Sequence, residues 1–292
     1  MHTRDLAMNR EEGEPCQIDA PSDSTSARIL RPPLRWAGGK SGIVKDLISL
    51  MPASYSRYVE PMAGSAALFF GAKPERALLA DVNEDLINYF TILRNDLDRL
   101  TSSLFKMSAS KGKYYSLREQ QPSDLVERAI RFAYLNRLCW NGVYRVNSLG
   151  MFNVPIGSRL PKVLWSERHL RECSRVLFGA ELFHSDVLDT LARSEPNDFF
   201  FIDPPYPKGA NAGIGFNRYT VEKFTLDDHA NLAREIKRLS KKSVTIMVIL
   251  SDEENLIQLY RGFRKTKLST KSLISCMGAG RRPVSEVVLS NY

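Results

Sequence analysis

"NDFFFIDPPY", residues Asn197 to Tyr206, decides how this chain is read. Phe199 to Ile202 form an apolar run of strand length, and the double proline at Pro204 and Pro205 stops it, because proline donates no ladder hydrogen bond. A buried strand that ends abruptly in an acid and a turn belongs to an open sheet with chemistry at its strand ends, and the flanks supply its partners.

Upstream, "YSRYVEPMAGSAALFFG" reads as a strand, 55–60, a glycine-containing turn and a helix from about Ser65. "ALLADVNEDLINYFTIL" reads as a strand, 77–81, and then a helix whose apolar residues are Leu86, Ile87, Phe90 and Leu93. Downstream, "LDDHANLAREIKRL" carries acids in its first turn and bases in its last, the signature of a well-bounded helix. "SVTIMVILSD" reads as a buried strand, with further strand candidates at 266–276 and 284–290. Strands alternating with helices predict a doubly wound α/β sheet.

Residues 101–175 break that rhythm. "DLVERAIRFAYLNRL" looks helical, whereas "WNGVYRVNSLGMFNVPIG" sets Asn-Gly and Leu-Gly turn signals between short Val, Tyr and Phe stretches, a hairpin pattern. The expectation is a sheet interrupted by a basic, partly helical insertion that ends in a hairpin. Residues 1–28 are polar and aperiodic and read as a disordered leader.

Composition narrows the class. The 292 residues are 43% hydrophobic, enough for a globular core. Cys16, Cys139, Cys173 and Cys276 form no C-x-x-C pair, so neither a disulfide framework nor a zinc site is expected, and a reducing cytoplasm fits. No metal and no membrane span are expected, since the longest apolar runs fall far below the roughly 20 residues a span needs. Residues 101–175 hold thirteen Lys or Arg against five Asp or Glu, so the whole excess of +8 lies inside the insertion. A basic segment beside a neutral core is the footprint of a polyanionic partner; a solvated basic surface is the plainer alternative.

Ligands of open α/β sheets bind at the carboxyl ends of strands. After the strand end at Glu60, the small residues Ala63, Gly64, Ser65 and Ala66 permit close approach to backbone. Asp81, at the next strand end, is placed to accept hydrogen bonds from both hydroxyls of a ribose, although on its own it reads as a cap for the following helix. G-x-G-x-x-G is absent, which favours an adenosine without a pyrophosphate. At the third strand end, Asp203 and the Pro204 carbonyl can accept both hydrogens of an exocyclic amine. That makes the nitrogen pyramidal and able to attack an electrophilic methyl group, with Tyr206 as a stacking face.

"RWAGGKSG", Arg35 to Gly42, imitates a phosphate loop but lacks its first glycine, which falls on Leu34, and the preceding Pro32 and Pro33 cannot form the required central strand. A nucleotide hydrolase is thereby the least favoured reading. Trp36 offers a flat face and Lys40 a cation, for either a methionine carboxylate or a target base.

With "PPLRWAGGK", "YVEPMAGSAAL", "LLADVNEDLINYF", "LNRLCWNGVYRVNSLGMFNVPIG", "FHSDVLD", "FFFIDPPY", "ILSD" and "RRPVSEVVLSNY" on one chain, residues 32–292 resemble the Dam-type adenine-N6 DNA methyltransferases, the alpha group of the D12 class. The long central string is the most specific of these, and it separates this group from RNA and protein-glutamine methyltransferases that share x-Pro-Pro-Tyr. The resemblance implies a Rossmann-like S-adenosylmethionine-dependent methyltransferase sheet, with a catalytic domain at 29–100 and 176–292 and a target-recognition insertion at 101–175. It implies transfer of a methyl group from S-adenosyl-L-methionine to N6 of a flipped adenine in double-stranded DNA, by a cytoplasmic monomer, with a GATC-like target.

Residue by residue, the resemblance assigns Asp203, Pro204, Pro205 and Tyr206 to catalysis. Trp36, Gly38, Lys40, Ala63, Gly64, Ser65, Asp81, Asp186 and Asp203 fall to the cofactor. Trp140, Asn141, Val143, Arg145, Asn147 and Pro155 fall to DNA, with Arg145 reading guanine and Val143 and Pro155 near thymine methyls. Trp140 stands where Tyr or Phe is more usual, and "MAGSA" is poorer in glycine than the family's loop. Methylation of cytosine N4 or of RNA adenine, and a non-catalytic DNA-binding protein of this fold, are the alternatives. His169, His184 and His229 have no metal-ligand spacing and read as structural or surface residues; Phe69, Phe70, Tyr89 and Phe90 read as core.

Overall fold

The computed structural model describes residues 28–206, 224–268 and 285–292. The leader, Arg281 and Arg282, and most of the strand candidate at 266–276 lie outside the described residues.

Seven strands, β1 (Arg57–Glu60), β2 (Ala77–Asp81), β3 (Ala180–His184), β4 (Asp198–Ile202), β5 (Thr245–Ser251), β6 (Arg264–Lys267) and β7 (Glu286–Ser290), form one sheet in the order β3-β2-β1-β4-β5-β7-β6. β1 to β5 pair in parallel, and β7 runs antiparallel to both of its neighbours. Around them lie α1 (Val44–Ser49), α2 (Ala67–Ala72), α3 (Glu84–Asn95), α4 (Leu97–Leu104), α5 (Lys111–Glu119), α6 (Leu125–Leu138), α7 (Glu167–Leu177), α8 (Val187–Ala192), α9 (Leu226–Leu239) and α10 (Glu254–Leu259).

The unbroken apolar run of β4 is explained by burial on both faces. Phe199 and Phe201 join Tyr58, Phe69 and Met247 in one core, while Phe200 and Ile202 join Val59, Val248 and Ile236 of α9 in the other. Phe69, Phe70, Tyr89 and Phe90 are all fully buried, as the sequence reading expects. At the amino-terminal edge of the sheet, Arg57 forks onto Asp198 with bonds of 3.1 and 2.8 Å, joining β1 to β4 away from the strand ends that carry chemistry.

Two local readings need correction. β3 is not legible as a strand, because Glu181 and His184 are exposed and it forms the sheet edge. The helix expected from Ser65 starts at Ala67, because Gly64 and Ala66 take left-handed backbone (φ +48 and +53) and so cannot enter a right-handed helix.

The basic segment fills the crossover between α3 and β3, and the boundaries read at residues 100 and 175 fall inside α4 and α7. One face of α6, through Val126, Ala129, Ile130 and Ala133, merges with the core of the sheet. Its other face, through Tyr134, Leu135 and Leu138, roofs a smaller core made with the hairpin. That hairpin is held by two antiparallel bridges, Cys139 with Ile156 and Val146 with Phe152. Part of the segment's positive charge is met by acids outside it: Arg128 bonds Asp85 at 2.8 Å and Glu84 at 3.1 Å, tying α6 to the start of α3.

Candidate active site

The order β2-β1-β4 places the topological switch of the sheet between β1 and β4, where α/β sheets open a crevice. Glu60 ends β1, Asp203 follows β4 and Asp81 ends β2. Because β7 is antiparallel, its first residue rather than its last reaches this edge: Glu286 pairs with Ser251, the final residue of β5.

Lys40 is the hub of the edge. It stands in a single helical turn after the glycine pair, 6% exposed, and its Nζ donates to the Gly38 carbonyl at 2.8 Å. The same Nζ lies 3.1 Å from Asp203 Oδ1 and 3.2 Å from Glu286 Oε1, and 5.1 Å from the centre of the Tyr206 ring. Burial alone would lower the Lys40 pKa, but the two carboxylates outweigh it and hold the ammonium above its ordinary value. Lys40 thus reaches the catalytic motif itself, an option the sequence reading did not weigh.

Burial pushes Asp203 up to about 6; Lys40 opposes the shift and Glu286 adds to it. Burial likewise drives Glu60 well above the usual carboxylate range, against a 2.8 Å bond from Tyr58 Oη. The motif is braced from beneath by His229, a fully buried residue of α9 whose Nε2 lies 3.0 Å from the Pro205 carbonyl. Pairing with that carbonyl makes Nε2 the protonated nitrogen. His229 is therefore structural, as expected, and what it braces is the Asp-Pro-Pro-Tyr turn.

The turn after β1 forms a wall facing this centre. The Gly64 N–H donates to Asp81 Oδ2 and the Asn83 N–H to Asp81 Oδ1, both at 2.9 Å. The capping role that competes for Asp81 belongs instead to Asn83, whose side chain accepts from the Leu86 N–H at 3.1 Å. Asp81 is left to orient the Gly64 turn, with carboxylate lone pairs to spare. Trp36 stands directly over Gly64: a Cβ there would sit 2.8 Å from Trp36 Nε1. Ala63 and Ser65 are buried beneath, and a Cβ on Gly39 would lie 3.1 Å from Ser65 Oγ. Asp186 is exposed and caps the short α8, accepting from the Leu188 N–H at 2.8 Å; its loop meets β2 through the Ser185 N–H, 3.2 Å from the Asp81 carbonyl.

Trp36 also stacks on Tyr144 of the hairpin, with centroids 6.0 Å apart and planes at 17°. Asn136 of α6 grips Arg35 through both backbone groups, accepting from its N–H at 3.0 Å and donating to its carbonyl at 2.7 Å. The segment carrying Trp36 and Lys40 is thus seated on the insertion.

On the hairpin, Trp140 is 42% exposed, and Asn141 takes left-handed backbone beside it. Arg145 is exposed, with Nε donating to Asn153 Oδ1 at 2.7 Å, so the guanidinium is held by its cross-strand neighbour. Pro155 is exposed. Val143, at 3% exposure, packs in the small core beneath the hairpin. Asn147 closes the hairpin tip, its Oδ1 accepting from the N–H groups of Leu149 and Met151. Trp165, unassigned by sequence, packs against Tyr134 beneath the hairpin. A groove of about 540 Å³ opens between Asn83, Arg128, Arg131, Tyr144 and Met151; neither Trp36 nor Asp203 lines it, so it lies beside the site.

Sequence reasoning missed Glu286, Asn153 and the task of His229. The signal for Glu286 was available: it is an acid opening the apolar run "VVL". Among the described residues, no group of three His, Cys, Asp or Glu residues is arranged to hold a metal, and no helix is long and apolar enough to cross a membrane.

The model of the D12 class N6 adenine-specific DNA methyltransferases matches residues 36–274. A type II methyltransferase of Methanocaldococcus jannaschii, M.MjaIII, is 31% identical over 290 residues, covering 90% of this chain and 99% of its own. A DNA adenine methylase of Vibrio cholerae is 32% identical over 263 residues, covering 87% of this chain and 94% of its own. One of Escherichia coli is 29% identical over 262 residues, with 87% and 93% covered.

Proposed function

This chain belongs to the D12 class of N6 adenine-specific DNA methyltransferases, and from that premise we propose that it uses S-adenosyl-L-methionine to methylate an adenine flipped out of double-stranded DNA at a GATC-like site. The observation that carries the reading is the 3.1 Å pair between Lys40 and Asp203, which joins the segment bearing Trp36 to the motif bearing Tyr206.

The residues present fit the cofactor. Gly64 in left-handed backbone, filled to contact by the Trp36 ring, makes a wall that any side chain would displace, and Asp81 is fixed beside it. Trp36, Gly38, Ala63, Gly64, Ser65 and Asp81 would hold the donor, with the Asp186 loop at its outer end. When bound, the cofactor supplies a methyl group on a positively charged sulfur.

The chain's own residues prepare the acceptor. Asp203 takes one hydrogen of the adenine amine and the Pro204 carbonyl the other, which localises the nitrogen lone pair. The ring of Tyr206 stacks on the base, and Pro205, held by His229, fixes the turn. Lys40 moderates the charge of Asp203 without leaving the protein side of the site. Trp140 and Asn141 stand where the duplex opens. Arg145 reads guanine with a fork that Asn153 has already oriented, and Pro155 meets a thymine methyl. Asn147 shapes the hairpin tip.

The test is Asp203→Ala with labelled S-adenosylmethionine and unmethylated plasmid DNA. Methyl transfer is abolished while DNA binding persists; a variant that still forms N6-methyladenine refutes the assignment. Sequencing the methylated positions in DNA exposed to the wild-type chain identifies the target, and a motif other than GATC overturns that part.

A further inference from the structure

One acid at the catalytic edge is used neither by the cofactor wall nor by the Asp-Pro-Pro-Tyr turn. Glu286 has a side chain only 11% exposed, and its Oε1 receives two donors: Tyr206 Oη at 2.9 Å and Lys40 Nζ at 3.2 Å. A single oxygen therefore connects the ring on which the base stacks to the cation that faces the catalytic carboxylate.

We propose that Glu286 is a positioning residue for methyl transfer, which fixes the Tyr206 ring and shares Lys40 so that Asp203 keeps an acceptor oxygen for the adenine amine. This rests on the catalytic reading of Asp203 and Tyr206 given above. A tyrosine on a turn rotates about two side-chain bonds, and a hydrogen bond to an ionised acceptor, roughly twice as strong as a neutral one, selects one orientation. The second half of the role concerns competition. An ammonium has three donors and a buried charge to neutralise. With Asp203 as its sole carboxylate, Lys40 would compete with the neutral amine for both oxygens. With Glu286 present, Lys40 is divided, 3.1 Å from one acid and 3.2 Å from the other. The charged groups facing Asp203 are Lys40, Glu286 and, from the end of β1, Glu60.

The experiment measures single-turnover methyl transfer to unmethylated plasmid DNA for Glu286→Ala, Glu286→Gln, Tyr206→Phe and the double variant Glu286→Ala with Tyr206→Phe. Asp203→Ala serves as reference, and thermal unfolding checks the fold. Glu286→Ala is expected to slow the step roughly ten- to hundredfold, with DNA affinity within about twofold of wild type. The double variant should be no slower than the slower single one, because both substitutions break one contact. Glu286→Gln, which keeps an acceptor but loses the charge, should move the acid limb of the pH profile to lower pH. Losses that multiply in the double variant overturn the proposal, as does an unshifted acid limb, which decides the matter if the alanine variant fails to fold. An inactive Asp203→Ala beside a near-wild-type Glu286→Ala overturns the role of Glu286 alone. An active Asp203→Ala overturns the catalytic reading and this role with it.

Discussion

Trp36 and Tyr144 lie nearly parallel with ring centres 6.0 Å apart, so the segment proposed to wall the cofactor site and the hairpin proposed to meet DNA share one aromatic contact. Tyr144 is itself anchored, its hydroxyl donating to Asp85 Oδ2 at 3.2 Å at the start of α3. Replacing it with alanine is expected to weaken binding of S-adenosylhomocysteine and of DNA together. An aromatic pair is worth about 0.5–1.5 kcal/mol beyond its area, so each affinity should fall by up to roughly tenfold. Tyr144→Phe keeps the stack and should retain most of both, as calorimetric titration will register. A Tyr144→Ala variant that loses only DNA affinity would show that the stack does not support the wall.

The pH profile follows from Asp203, whose pKa burial lifts to about 6. In the proposed role the ionised carboxylate is the stronger acceptor for the amine hydrogen, so protonation depletes the more active form. The single-turnover rate is expected to be flat above pH ~7 and to fall about tenfold per pH unit well below the Asp203 pKa. A rate constant down to pH ~4.5 would mean that Asp203 remains ionised there.

Gly64 tests the wall separately from the chemistry. Its φ of +48 and the 2.8 Å separation of a built Cβ from Trp36 Nε1 oppose any side chain. Gly64→Ala should cost about 1–2 kcal/mol of backbone strain and displace Trp36. The expected result is a cofactor dissociation constant raised more than tenfold with the methylated sequence unchanged.

Asn153 offers a graded test of sequence reading. Arg145→Ala should relax discrimination at one guanine by about 1–3 kcal/mol, measured by methylation of duplexes substituted at that position. Asn153→Ala frees the fork without removing it, so it should lose a smaller part of the same discrimination. A uniform fall in affinity on all sequences would reduce Arg145 to a phosphate contact.

The pair of Arg57 and Asp198 predicts stability without function. Asp198 is fully buried and takes both bonds of the fork. Asp198→Ala leaves Arg57 uncompensated on that side and should cost about 3–5 kcal/mol, read as a lowered unfolding midpoint. In the fraction that remains folded, the rate of methyl transfer per molecule should be unchanged.

The strands that are buried on both faces were legible because nothing but a sheet interior accounts for runs such as Phe199 to Ile202. The edge strand β3 was not, since its exposed Glu181 and His184 erase the pattern. At the site, Asp81 and Asp203 could be found by looking just after parallel strands. Glu286 escaped that search because it opens an antiparallel one. The burial of Val143 was not legible, because residues of a hairpin alternate between core and solvent and a family match does not show which face a position takes in this chain. Lys40 was recognised as a cation, but its partners are contributed by positions 203 and 286, which only folding brings beside it.

The antiparallel β7 also sets an order in time. It is inserted between β5 and β6, both of which leave the ribosome before it. A nascent chain that has emerged only through β6 carries Lys40 and Asp203 but neither Glu286 nor a completed sheet. The carboxylate edge around Lys40 is therefore completed last, when β7 pairs with β5 on one side and β6 on the other.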